Sequence, residues 1–382
     1  MWAFIFGGMI ILAIAGFVFL WTRFQKFGIV NRLSGNRKWL RRLIALIPMV
    51  IFGFFIWIDT VNTVIVLVHM AVYWVLAELI ASVVKKLGKK DSDKAGTGKE
   101  ASIKSNGSPY IVGIIVLCFE LLYFCTALYL NYHVWEKDYQ LSTGKDIGAE
   151  RIRIAQITDS HLGTTFDGEG FAKHMRRIQE EHPDILVITG DFVDDDSNRE
   201  DLIRSCEALK EFEAPPGKYY VYGNHDKGYY GRRDFTADEM EAYLKDAGVE
   251  VLKDDVKLIG DRLYMVGRKD ASDGGREEVS ELISPFDASK YTVILDHQPT
   301  DYAAEAATGA DLVLSGHTHG GQTIELALAA MLMGVNDKTY GIETRDKTTF
   351  IVSSGISDWA IKFKTGTRSE FCIIDVMENK DI

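Results

Sequence analysis

Cysteine is scarce in this sequence, with four residues in 382. That excludes a fold stapled by disulfides. Cys118 and Cys125 fall in an apolar run, and Cys206 and Cys372 in runs that read as core, so four buried free thiols are expected. No internal repeat is visible beyond two helix hairpins. Positive charge is in short supply, relative to negative, in the second part of the chain. The whole sequence holds 43 Lys+Arg and 54 Asp+Glu; residues 1–134 hold 14 and 6, which leaves 29 and 48 for residues 135–382. A balance of −19 there would repel a nucleic-acid backbone, so no nucleic-acid partner is expected. Charge of either sign is absent from residues 2–22, which excludes a uniformly soluble protein. At roughly 100–200 residues per domain, the length allows two or three folding units.

Four segments are apolar enough to cross a bilayer: residues 2–22, about 43–58, about 61–84 and about 109–134. A hydrocarbon core of ~30 Å needs ~20 helical residues, so the second segment is short. The first lacks the basic start and small-residue cleavage site of a signal peptide and reads as an anchor. Residues 23–42 carry Arg23, Lys26, Arg32, Arg37, Lys38, Arg41 and Arg42 and no acid, and residues 85–108 carry seven lysines and three acids. With four crossings both basic loops lie on one side, which the positive-inside rule makes the cytoplasm. Everything after residue 134 is then expected outside a cell membrane. Residues 85–108 read as a flexible polar loop and residues 135–150 as a linker. His69, Glu78 and Glu120 lie within the spans; ionisable groups at such depth either bond between helices or serve a function.

From Arg151 onward, short apolar runs end in clusters of Asp, His, Asn and Gly. Ile152–Ile157 runs into Asp159-Ser160-His161, and Ile185–Thr189 into Gly190-Asp191 with Asp194 beyond. Tyr219–Tyr222 runs into Gly223-Asn224-His225-Asp226, Tyr291–Leu295 into Asp296-His297, and Leu312–Leu314 into Gly316-His317-Thr318-His319-Gly320-Gly321-Gln322. Such runs read as strands buried on both faces, with helical patterns between them at 171–182 and 236–247. The alternation predicts an α/β layered fold with a ligand site at the carboxyl ends of the strands. Asp, His and Asn without Cys suit Mn²⁺, Fe²⁺ or Zn²⁺. Two such ions ~3.5–4 Å apart can hold a hydroxide and stabilise in-line displacement at phosphorus.

These motifs, in this order, make residues 151–376 resemble the calcineurin-like metallophosphoesterases, in particular a membrane-associated bacterial branch whose last motif reads Gly-His-Thr-His-Gly-Gly-Gln. The resemblance extends to Lys338–Ile342, to Phe350–Ser354 and to Arg368-Ser369-Glu370, where Ser369 stands in place of a common proline. It implies a four-layer αββα sandwich over 151–382; the four-helix transmembrane region 1–134, read from its apolar runs, precedes it and lies outside the resemblance. It implies one metal held by Asp159, His161, Asp191 and His319, and a second held by Asp191, Asn224, His297 and His317. His225 would then assist the leaving group, with Asp226 orienting its imidazole and Asp194 bonding a ligand or a loop amide. Asp296 is expected to face away, and His133, His174 and His182 to take no part.

The activity implied is hydrolysis of a phosphate ester by a membrane-anchored enzyme, on a lipid-linked or cell-envelope substrate that the tether places within reach. A nucleotide-sugar lipid pyrophosphatase is the alternative, though its substrates are cytoplasmic. A non-catalytic scaffold or sensor, working through Glu78 and Glu120, is a third. Beyond Gln322 lies a long apolar stretch, Thr323–Met333. It fits a helix buried over the core, or an exposed lip that touches the outer leaflet or a lipid tail.

Overall fold

The computed structural model describes residues 2–94, 110–284 and 286–379. Of the expected flexible loop 85–108, residues 85–94 instead continue a helix (Thr60–Lys94), which corrects that part of the reading, and residues 95–108 lie outside the described residues. The chain divides into two units, Met1–Thr126 and Ala127–Ile382.

The first unit holds α1 (Trp2–Phe24), α2 (Gly28–Ser34), α3 (Lys38–Ile58), α4 (Thr60–Lys94) and most of α5 (Ile111–Tyr132). Among the described residues, three helices are long and apolar enough to cross a membrane: Lys38–Ile58, Thr60–Gly88 and Ile111–Tyr132. A fourth span exists if Ile11–Phe24 and Gly28–Ser34, bent by 70°, count as one. The short second segment thus lies within a helix of 21 residues. Leu20, Met49, Leu67, Trp74 and Val116 pack together inside, while Val50, Trp57, Ile80, Leu121 and Leu122 face outward, as lipid contact requires. Cys118 and Cys125 face outward too, which corrects the expectation that they are buried. An apolar run reads as core from sequence whether its solvent is protein or lipid. Glu78 accepts ion pairs from Arg23 (2.9 Å) and Lys26 (2.7 Å) and a hydrogen bond from the Tyr110 hydroxyl. His69 Nδ1 lies 2.9 Å from Glu120 Oε2. Both acids are therefore held between helices.

The second unit contains β1 (Trp135–Thr143), β2 (Arg151–Ile157), α6 (Gly168–Gln179), β3 (Ile185–Thr189), α7 (Arg199–Glu211), β4 (Gly217–Val221), α8 (Ala237–Asp246), β5 (Val249–Leu252), β6 (Asp255–Ile259), β7 (Leu263–Gly267), α9 (Val279–Ile283), β8 (Tyr291–Leu295), α10 (Tyr302–Ala307), β9 (Leu312–Ser315), α11 (Ile324–Met333), β10 (Gly341–Arg345), β11 (Thr348–Val352) and β12 (Glu370–Glu378). They form two six-stranded sheets, ordered β1-β12-β2-β3-β4-β5 and β10-β11-β9-β8-β7-β6.

Every residue of β3, β8 and β9 is buried, because one face of each sheet meets the other sheet and the opposite face meets helices. Ile154, Val187, Val221, Met265, Val293 and Leu314 fill the space between the sheets. Phe171, Leu202 and Leu244 from α6, α7 and α8 cover one outer face, and Leu282 and Tyr302 from α9 and α10 cover the other. This is the expected αββα order. Within each sheet β2, β3 and β4, and β8 and β9, run parallel, so their carboxyl ends share an edge. Gln156 Nε2 ties the two edges together by donating to Thr189 Oγ1 and to the Ser315 carbonyl, both at 3.0 Å.

The linker expected at 135–150 is corrected. Residues 135–143 form β1, which pairs in parallel with β12 from Trp135↔Glu370 to Thr143↔Glu378. Its charged residues belong to an edge strand, and the alternation Tyr139, Leu141, Thr143 was the signal that it is one.

Between the two sheets, a Cβ on Gly267 would lie 2.1 Å from Leu252 Cβ. Gly267→Ala is expected to cost roughly 1–3 kcal/mol by overpacking. Gly274→Ala, where nothing lies within 4 Å, should be near neutral. Thermal unfolding of the full chain in detergent reads the difference.

Candidate metal centre

Each ligand candidate sits in the first turn beyond a strand, and most sit in strained backbone. Asp159, His161, Asp191, His317 and His319 all have positive φ, between 36° and 68°. Asp and His tolerate this region better than most residues, yet each instance costs of order 1–3 kcal/mol. Strain concentrated on these five turns the side chains out of the sheets and toward one another. Gly316 is required between them: a Cβ there would lie 2.0 Å from Thr158 Oγ1 and 2.4 Å from Asp159 Oδ2.

Three sets of donor atoms result among the described residues: one is His161, Asp194 and His225, and the other two face each other. In Asp159, His161 and His319 one donor atom from each residue lies within 4.8 Å of the others, and the same holds for Asp191, His297 and His317. Asp191 Oδ2 stands between the sets, 3.1 Å from His297 Nε2 and 3.6 Å from His161 Nε2. His161 Nε2 and His319 Nε2 lie 3.9 and 3.6 Å from Asp159 Oδ1. His297 Nδ1 is 2.7 Å from the Thr189 carbonyl, to which it donates, so Nε2 is the ring nitrogen that faces Asp191 and that, once deprotonated, could ligate a metal ion. Asn224 Oδ1 is buried without a hydrogen-bond partner, as are His161 Nε2 and His297 Nε2.

The electrostatics are those of a site short of cations. Burial opposes ionisation of Asp191, but His297, His161 and His225 hold its carboxyl well below the usual range. Burial would likewise lower His297 and His319, yet the facing aspartates raise both. Burial and the Asp191 charge push Asp226 up to about 6. A donor set of Asp, Asn and imidazole with orphaned lone pairs facing inward fits divalent metal ions.

Asp226 does not orient His225, which corrects the sequence expectation. Its two oxygens accept the N–H groups of Asp191, Phe192, Val193 and Gly223 at 2.7–3.1 Å, so it braces the turns that carry Asp191 and Asn224. Asp194 faces the imidazole instead: Oδ1 lies 3.2 Å from His225 Nδ1 and Oδ2 lies 3.3 Å from His161 Nδ1. Burial disfavours the Asp194 carboxylate, but the two imidazoles keep it ionised far below the usual range. Asp296 turns away to Arg268 and Arg276. His174 lies on α6, His182 just past its end, and His133 packs edge to face against Trp135, all outside the cluster.

Two residues were invisible to motif reading. Asp358, fully buried, places Oδ1 3.1 Å from His319 Nδ1. Lys364, also fully buried, places Nζ 3.1 Å from the same oxygen and donates to the Ser354 carbonyl at 2.8 Å. A carboxylate facing a metal-binding histidine fixes its tautomer and ring angle. The lysine compensates that buried charge. Trp359 stands beside His225, with ring centroids 5.2 Å apart.

A family model described as calcineurin-like phosphoesterase matches residues 152–321. An uncharacterized metallophosphoesterase of Aquifex aeolicus is 35% identical over 197 residues, covering 50% of this chain and 72% of that protein. A transmembrane protein with metallophosphoesterase domain from Danio rerio is 28% identical over 237 residues, covering 57% of this chain and 52% of that protein. Among solved structures, a dimetal phosphatase from Danio rerio is similar, with a TM-score of 0.35 and 13% identity over 53% of this chain and 87% of that one.

Asp358→Asn is expected to weaken one of two metal-binding events by about 10–100-fold and to spare the other. Equilibrium titration with Mn²⁺ or Zn²⁺ resolves the two. Lys364→Met, which strands a buried charge, should cost about 3–5 kcal/mol in unfolding.

Proposed function

This chain belongs to the calcineurin-like metallophosphoesterases and is a metal-dependent phosphoesterase, and from that premise we propose that it hydrolyses a lipid-linked or cell-envelope phosphate ester at a two-metal centre. The observation that carries the proposal is the pair of donor sets meeting at the single carboxylate of Asp191. In this reading Asp159, His161, Asp191 and His319 hold one ion, and Asp191, Asn224, His297 and His317 hold the other. When bound, two divalent ions supply a nucleophile at neutral pH and neutralise charge on the phosphoryl oxygens. Mn, Zn and Fe all suit these donors.

The chain's own residues do the rest. The oxygen of water bonds to phosphorus while one of its protons is released to solvent, the bond from phosphorus to the alcohol oxygen breaks, and protonated His225 delivers its proton to that departing oxygen and afterwards regains one from solvent. His225 is positioned for this at both ends. Its backbone N–H donates to Asp191 Oδ1 at 2.8 Å, and on the ring Asp194 takes Nδ1, which leaves Nε2 for the leaving group. General acid help of this kind contributes about 10²–10⁴-fold.

The membrane tether supports the substrate class. A phosphoesterase carrying three or four candidate spans works where its substrate is confined. The excess of acid outside the first unit disfavours attraction of soluble polyanions, whereas bound ions reverse the local field at the centre. With four crossings, the basic loops put the catalytic unit on the extracytoplasmic side of the cell membrane. Glu78 and Glu120 have partners between helices, so neither supports a sensing role of its own.

His225→Ala is expected to keep two ions per chain and to lose ~10²–10⁴-fold in turnover of alkyl phosphates. It should lose much less with nitrophenyl esters, whose leaving group needs no proton. Equal losses on both, or loss of metal, would remove His225 from this role. Asp191→Ala should lose both ions and all activity. A panel of monoesters, diesters and lipid pyrophosphates, run on detergent-purified protein, assigns the bond cleaved. An alkaline phosphatase fusion after residue 382 should be active if the catalytic unit is outside, and silent otherwise.

A further inference from the structure

The expectation of a helix buried over the core fails for α11. It is almost wholly apolar, Ile-Glu-Leu-Ala-Leu-Ala-Ala-Met-Leu-Met, and none of its ten residues is buried. Met331, Leu332 and Met333 are 67%, 77% and 71% exposed, and Ile324, Leu326, Leu328 and Val335 are exposed as well. No apolar stripe faces a core and no polar face opposes it. Only Ala327 and Ala330 are half-buried, so the rest of this apolar surface needs an apolar solvent of its own.

The attachment of α11 identifies that solvent. Its first turn hangs from the loop 364–369: Thr365 N–H donates to the Gln322 carbonyl at 2.8 Å, and Ile324 N–H donates to Thr365 Oγ1 at 3.2 Å. The other side of the same loop is bonded to the end of α5, one of the candidate spans. Lys364 N–H donates to the Ala127 carbonyl, Ser369 N–H to the Leu130 carbonyl, and Ser369 Oγ to the Asn131 carbonyl at 2.7 Å. Ser369 stands where proline is common in the family it resembles, and a proline there would lack the N–H that makes one of these bonds. Tyr129 and Trp135 pack edge to face at 5.5 Å beside this junction, and Arg368 lies over the Trp135 ring. Tyrosine and tryptophan at the end of a span mark the level of the bilayer surface. One short loop thus joins α11 to the point where α5 leaves the membrane.

We propose that α11 is a bilayer-docking helix, lying in the interface of the leaflet from which α5 emerges, with its apolar side chains among the lipid acyl chains. At 1.5 Å per residue it is roughly 15 Å long, half of a ~30 Å hydrocarbon core, so it rests in the surface and does not cross. His319 precedes Ile324 by only five positions, so docking α11 holds the metal centre against the membrane surface, where phosphate headgroups lie. This inference takes the membrane anchorage from the proposed function and is independent of the substrate.

The test uses the full chain with Cys118→Ala and Cys125→Ala, reconstituted in vesicles of phosphatidylcholine and phosphatidylglycerol. A nitroxide on Leu332→Cys reports collisions with oxygen and with a nickel chelate, and one on Glu207→Cys, on α7, serves as the aqueous reference. Docking predicts that oxygen outpaces the chelate at 332 by several-fold and that the order reverses at 207. Free access of the chelate to 332 overturns the proposal. So does shielding of 332 from both probes, which would mean that a second copy covers the helix. A second arm combines Leu328→Ser, Met331→Ser and Leu332→Ser. Turnover of a vesicle-borne lipid phosphate should fall at least tenfold while a soluble nitrophenyl diester is spared; equal loss on both overturns a docking role. A docked label in a chain that cleaves no lipid phosphate would sink the substrate reading alone.

Discussion

Mutual repulsion among buried aspartates is the constraint around which the catalytic unit is built. Asp159, Asp191 and Asp226 are each almost completely buried, and Asp191 and Asp226 serve adjacent turns. Burying one carboxylate is expensive; burying several together requires cations or strong donors at every oxygen. Asp226 solves this with four backbone amides. Asp159 takes the His317 N–H on both oxygens and the Thr158 hydroxyl. Asp191 receives one amide and two imidazoles, and is the carboxylate for which a pair of metal ions would do most. The strained turns and the glycine beside Asp159 follow from the need to bring these groups together.

The seven ligand candidates were legible because chemistry restricts residue type more tightly than sequence distance does. Each lies directly after an apolar run, and parallel strands send every such run to the same edge. The helpers were less legible. Asp194 and Asp226 sit at similar places after their strands, and only coordinates distinguish the one that faces a ring from the one that faces amides. Asp358 and Lys364 lie in an irregular segment without periodicity, and their pairing depends on burial that composition does not reveal. β1 was read as linker because charged residues on an edge strand resemble those of a tether.

In the membrane unit, hydropathy located the helices but not how many of them cross. The 70° bend between α1 and α2 comes at Phe24–Gly28, where no proline announces it. The polar residues inside the helices proved to have partners that sequence spacing does not predict, since Lys26 and Glu78 are 52 positions apart.

The order β1-β12-β2 has a consequence for biogenesis. Residues 370–378 wedge between the first two strands of the catalytic unit, which come more than two hundred positions earlier. Contacts so distant in the chain make for slow folding. While the ribosome is still at work, the gap between these two strands stays open and the first of them, already tied to its anchor, waits with an unpaired edge. The sheet closes only once residues 370–378 have been made, so β1 and β2 gain their shared neighbour more than two hundred residues after they themselves were added.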